Sequence, residues 1–79
     1  MKVTYGILEE TYLLDQQSRT SYGIAAYVDT DIAGITSIVD SVHDITSNKE
    51  ALLKLIRDCN HLKLSVLHLR DVIEDFLAY

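Results

Sequence analysis

Proline is absent from the 79 residues, cysteine occurs once, and lysine and arginine together number only 7 against 12 acids. With no proline, no low-complexity stretch and no composition shift, nothing marks a linker, and residues 1–79 are expected to form a single domain. A lone Cys59 excludes an internal disulfide framework and fits a reducing compartment. No window approaches the ~18 apolar residues of a membrane span. The opening Met1-Lys2-Val3-Thr4-Tyr5 has no apolar signal core, and Glu9 and Glu10 follow at once, so a cytoplasmic location is expected. The shortage of bases is uneven. Residues 1–43 hold six acids against Lys2 and Arg19, whereas residues 44–79 hold six acids and five bases. An acidic first half repels phosphate backbones, which argues against a nucleic-acid partner and leaves a protein partner open.

Apolar residues are plentiful, at 48%. A chain this short buries only about 60–65% of its unfolded surface, and one core of this size supplies roughly 3–5 kcal/mol. The surplus must lie in a dense core or against a partner. Self-association as a homodimer is therefore expected.

The chain divides near Asp44 into a β-patterned half and a helical half. Val3, Tyr5 and Ile7 share one strand face, and Leu8, Tyr12 and Leu14 the other. The switch near Leu8 predicts a bulge or a strand covered on both sides. Asp15-Gln16-Gln17-Ser18 reads as a four-residue hairpin loop. Residues 20–28 alternate cleanly, with Tyr22, Ile24, Ala26 and Val28 opposite Ser21, Gly23, Ala25 and Tyr27. Tyr5-Gly6-Ile7 and Tyr22-Gly23-Ile24 echo each other, and each glycine is expected to lie beneath an aromatic ring from a neighbouring strand. A second turn over 29–34 leads to a third strand over 35–43, with Ile38 or Val39 and Val42 as core candidates.

Ser47-x-x-Glu50 has the form of a capping box. Leu52, Leu55, Ile56 and Cys59 then recur at helical spacing, Glu50 and Lys54 are placed to pair on the outer face, and Asn60 is a candidate left-handed terminator. Ser65 caps a second helix with a staple of Leu64 and Leu69. Its apolar stripe is Leu69, Val72, Ile73, Phe76 and Leu77, with Arg70, Asp71, Glu74 and Asp75 toward water. The architecture expected is α+β: a three-stranded antiparallel meander followed by an α-helical hairpin packed on one face.

Tyr22-Gly23-Ile24, Asp44-Ile45-Thr46, Cys59-Asn60, Leu64-Ser65, His68-Leu69 and Asp71-Val72-Ile73-Glu74-Asp75-Phe76-Leu77 together resemble a family of short uncharacterised bacterial proteins, a domain of unknown function found mainly in Gram-positive anaerobes. The resemblance covers most of the chain and is sharpest from residue 44 onward. Its members often carry proline after the Ser65-type cap, where this chain has Val66. The resemblance implies a compact bacterial cytoplasmic protein and brings no activity, ligand or catalytic residue.

Three constellations could carry chemistry. Cys59, His61 and His68, with Asp71 as a fourth group, supply zinc-ligand types, or a thiol and a base. Their spacing matches no standard zinc pattern, and Cys59 lies on an apolar stripe where a free thiol acts as a small hydrophobe. His61 is expected in a solvated loop, and His68 at a capping position. Asp29-x-Asp31-x-x-Gly34 with Asp40 partly mimics a calcium loop, but Ala33 replaces an oxygen ligand, so a polar turn is expected. A helix-turn-helix reading fails because Asp71, Glu74 and Asp75 would face phosphates. No catalytic, cofactor or metal residue is therefore assigned. The function expected is a non-catalytic protein-interaction or regulatory module of the bacterial cytoplasm. The alternative is a small metal-binding protein or enzyme using Cys59, His61 and His68.

Overall fold

The computed structural model describes residues 3–29 and 36–78. Strands β1 (Val3–Leu14), β2 (Gln17–Asp29) and β3 (Thr36–Thr46) form an antiparallel sheet in the order β1-β2-β3. Helix α1 (Lys49–His61) follows, then a 3-10 turn (Val66–His68) that leads into α2 (Leu69–Leu77). The α+β meander-then-helices architecture is as the residue patterns predict.

Tyr5, Ile24, Ala26 and Ile45 from the sheet pack with Leu52, Ile56 and Cys59 of α1 and Leu69 and Ile73 of α2. Both helices thus cover the same sheet face. Ile24, Leu52 and Leu69 are sealed from solvent, each contributing roughly 1.5–3 kcal/mol through burial.

The β1–β2 hairpin is longer and tighter than the sequence pattern implies. Its ladder runs without a register shift from Val3↔Val28 to Leu14↔Gln17, so no bulge occurs at Leu8. The apolar residues change face there because the outer half of the strand projects beyond the core. Everything from Glu9 to Leu14 is exposed. The turn contains two residues, Asp15 and Gln16, not four, and both have positive φ, 52° and 65°. That is the type I′ geometry, whose twist matches the flanking strands and which Asp tolerates.

The third strand departs most from expectation. It extends to Thr46, and its register against β2 slips between Tyr22 and Ile24 and again between Ala26 and Tyr27. Ile38 and Val39 are exposed, Val42 is half-buried, and Ile45 enters the core instead. Asp44, at φ 55°, makes the inner irregularity. Gly23 permits it: a Cβ there would stand 2.2 Å from the Val42 carbonyl oxygen, so close backbone approach accounts for this glycine. Gly6 does lie beneath a ring, that of Tyr27, with Cε2 3.1 Å from where its Cβ would be.

The first helix cap is Asn48, not Ser47. Asn48 has extended backbone and its Oδ1 accepts the Ala51 N–H at 3.1 Å. The helix starts one residue later than the Ser47 box requires, so Glu50 lies too early in the helix for the reciprocal bond. Among the described residues no ion pair joins Glu50 to Lys54. At the other end the left-handed residue is Lys63 (φ 54°), not Asn60. Leu64 N–H donates to the Cys59 carbonyl at 3.0 Å and Lys63 N–H to that of Asn60 at 3.3 Å, which is a Schellman closure. Ser65 caps the 3-10 turn by accepting the Leu67 N–H at 3.3 Å, while His68 makes no side-chain cap bond to α2. In α2, Leu69 and Ile73 are buried and Val72 and Phe76 half-buried, but Leu77, placed on the stripe by its spacing, is exposed.

Candidate interaction surface

Asn60 is released from helix termination and takes another role. Its Oδ1 accepts the Tyr5 N–H at 2.7 Å and its Nδ2 donates to the Tyr5 carbonyl at 2.9 Å. The side-chain amide stands where a neighbouring strand's peptide group would be. Both main-chain groups of Tyr5 therefore point away from β2. Because the β1–β2 ladder has no slip, the same holds at every second residue: Ile7, Glu9, Thr11 and Leu13. At Tyr5 the edge is closed. From Glu9 outward it is open, and the same stretch carries Tyr12, Leu13 and Leu14 at 45%, 77% and 52% exposure. The Tyr5 hydroxyl donates to the Leu64 carbonyl at 2.6 Å, locking the strand's inner end to the chain that follows α1. Burial, then the proximity of Cys59 and Asp40, raises the Tyr5 pKa above its ordinary value.

The sheet face away from the helices carries a polar chain. Glu10 Oε1 contacts His43 Nδ1, and His43 Nε2 stands 3.3 Å from Ser41 Oγ. Beside it the buried Ser21 hydroxyl donates to Asp44 Oδ1 at 2.5 Å. Side-chain-free Gly23 lies between β1 and the His43 segment of β3. Hydroxyl, imidazole and carboxylate in sequence resemble a nucleophile, base and orienting acid. The group nevertheless lies flat on the sheet with the His43 side chain 57% exposed, and none of its members lines the cleft at Val3 and Thr4 or the smaller one at Thr46, Asn48 and Phe76. Water competes for each of its hydrogen bonds, so the arrangement serves to tie β3 to β1. Ser41-x-His43 has same-face strand spacing, but its link to Glu10 depends on the register of all three strands.

The residues singled out by chemistry alone do not converge. Cys59 is 4% exposed and packed in the core, and burial, then Asp58, pushes its thiol pKa up. His61 is exposed in the last turn of α1. His68 is exposed at the head of α2, with Nδ1 3.9 Å from Asp71. Among the described residues no group of three or more His, Cys, Asp or Glu side chains could hold a metal ion. Asp40 accepts from Arg70 at 3.0 Å and from the Ser41 N–H at 2.9 Å. Asp31, Gly34 and the turn over 30–34 lie outside the described residues. No described helix is long and apolar enough to cross a membrane. An open cleft of about 1150 Å³ runs between Val3 and Thr4 at the start of β1 and the Lys63–Val66 segment.

A family model, described as Family of unknown function (DUF6514), matches residues 1–79, and the chain belongs to that family. No curated protein and no solved structure gives a significant match.

Proposed function

Because that family carries no assigned activity, we propose from the fold that the protein is a small non-catalytic interaction module of the bacterial cytoplasm, acting through strand addition at the outer half of β1. One observation carries this reading: Glu9–Leu14 forms a regular strand whose six residues are all exposed and whose free edge begins just past the point that Asn60 closes. Unpaired edge groups are a template for a further strand, and natural folds that do not use such an edge blunt it with proline, bulges, charged side chains or cover. Here the ladder is unbroken and no proline is present. Glu9 and Glu10 supply charge that discourages indiscriminate pairing.

The test is affinity capture from the native host with the full tagged chain, run beside Leu13→Lys. Leu13 is so exposed that its replacement should leave stability within about 0.5 kcal/mol. The reading expects co-purifying proteins, untagged copies of the chain included, that are lost with the variant. An identical set from both proteins, or none from either, would refute it.

A further inference from the structure

We infer that the strand added to β1 is β1 of a second copy, running antiparallel about a two-fold axis at Thr11. The inference rests on the interaction reading above and names its partner. Of the two sheet edges only β1 is an unbroken template, since β3 is interrupted by two register shifts and the left-handed Asp44. Main-chain pairing between two copies requires residues whose groups point outward to face each other, which confines the choice to alternate registers.

The side chains then select one register. With Glu9 on the axis, Leu13 of the second copy would lie against Tyr5, whose groups Asn60 already holds. With Glu10 on the axis, two carboxylates would stand directly opposite each other, which is destabilising in a sheet. With Tyr12 on the axis the ladder shortens toward the turn at Asp15. Thr11 on the axis avoids all three faults. Glu9 then bonds Leu13 of the other copy on both sides of a Thr11–Thr11 pair, making about six main-chain hydrogen bonds. Those three residues belong to the fully exposed stretch. On the open sheet face Leu14 meets the half-buried Leu8 of the other copy and Tyr12 meets Glu10, so the solvent-facing side chains at the hairpin tip gain cover. The second copy's strand reaches its turn opposite Ile7, short of the Asn60 clamp.

The experiment is sedimentation of the full-length protein from low to high micromolar concentration, alongside Thr11→Pro. The Thr11 N–H points away from β2, so proline there removes no main-chain bond from the hairpin, only the exposed 3.4 Å contact between the Thr11 and Thr20 hydroxyls, but deletes the donor on the axis. The parent should be a dimer. The variant should keep its circular dichroism spectrum and associate at least tenfold more weakly. A parent that is monomeric throughout, or a folded variant that dimerises as well as the parent, would overturn the proposal. Should the variant unfold, amide exchange on the parent decides. Protection of the Glu9, Thr11 and Leu13 amides that rises with protein concentration supports the pairing, and fast exchange at all concentrations refutes it. A monomeric result would remove self-pairing alone, because the capture comparison with Leu13→Lys reads the wider interaction role separately.

Discussion

Asn60 closes the main-chain edge of β1 at Tyr5 with two hydrogen bonds, 2.7 Å and 2.9 Å, from one side-chain amide. Alanine at this position would leave a part-buried N–H and C=O unpaired, at about 1–3 kcal/mol. The gain in helix propensity is smaller, roughly 0.5 kcal/mol. Asn60→Ala should therefore lower stability in urea unfolding. Asn60→Asp should also destabilise, because a carboxylate keeps the acceptor for Tyr5 N–H but cannot donate to its carbonyl. Unfolding midpoints equal to the parent's would mean that the clamp does not form.

The two described glycines should respond differently to alanine. At Gly23 the new methyl would lie 2.2 Å from a backbone oxygen and 3.0 Å from the His43 Cα, so β3 must move. A loss of about 2–4 kcal/mol, comparable to a severe core defect, is expected. At Gly6 the neighbour is the edge of the Tyr27 ring, which can shift, and the loss should be about 1 kcal/mol or less. Thermal melts of the two variants check the order, and equal losses would contradict it.

Helix capping separates two adjacent residues. Asn48→Ala should cost about 1 kcal/mol and Ser47→Ala close to nothing, since only Asn48 accepts a helix N–H. Ser65→Ala should also cost about 1 kcal/mol, through the 3-10 turn that starts the second helical segment. The opposite ranking of Ser47 and Asn48 in melting temperature would restore the Ser47 box.

Cys59 should label slowly with a thiol reagent in the native protein and rapidly once unfolded, because it is buried and its thiolate is disfavoured. Cys59→Ala should cost about 1 kcal/mol, less than a leucine truncation in the same core. The alkaline dependence follows from the direction of the shift. The fold holds the thiol proton more tightly than the unfolded chain, so its contribution is complete below the ordinary value of 9.0 and declines as pH rises past it. Tyr5, also raised, from 10.0, adds a second loss at higher pH. Stability rising between pH 9 and 11 in chemical unfolding would contradict both assignments.

How much of this was legible in the sequence differs by element. The β1–β2 pair was readable because period-two alternation and a turn-forming Asp15 agree, though loop length was not, since the type I′ turn needs only two residues. The helices were readable from their stripes, but Ser47 and Asn48 are both good caps and no local rule separates them. The third strand misled because each register slip changes the face presented, which moved Ile38 outward and Ile45 inward. Asn60 was visible only as a helix terminator. Its partner Tyr5 lies 55 residues away, and no spacing rule connects them. The Glu10–His43 contact was hidden for the same reason, its members sitting on outer strands of a sheet whose register had first to be known.

The distance along the chain between Tyr5 and Asn60 also orders events during synthesis. The β1–β2 hairpin needs only a two-residue turn and its own residues, and hairpins form in about 1–10 μs. It can close as soon as Asp29 has left the ribosome. Asn60 emerges some thirty residues later, about 2–6 s at ordinary elongation rates. For those seconds the nascent hairpin carries its entire outer edge bare, Tyr5 included. On a polysome, where neighbouring nascent chains are identical, Glu9 and Glu10 are then the chief guard against pairing between them, until the helix carrying Asn60 docks and closes the edge at Tyr5.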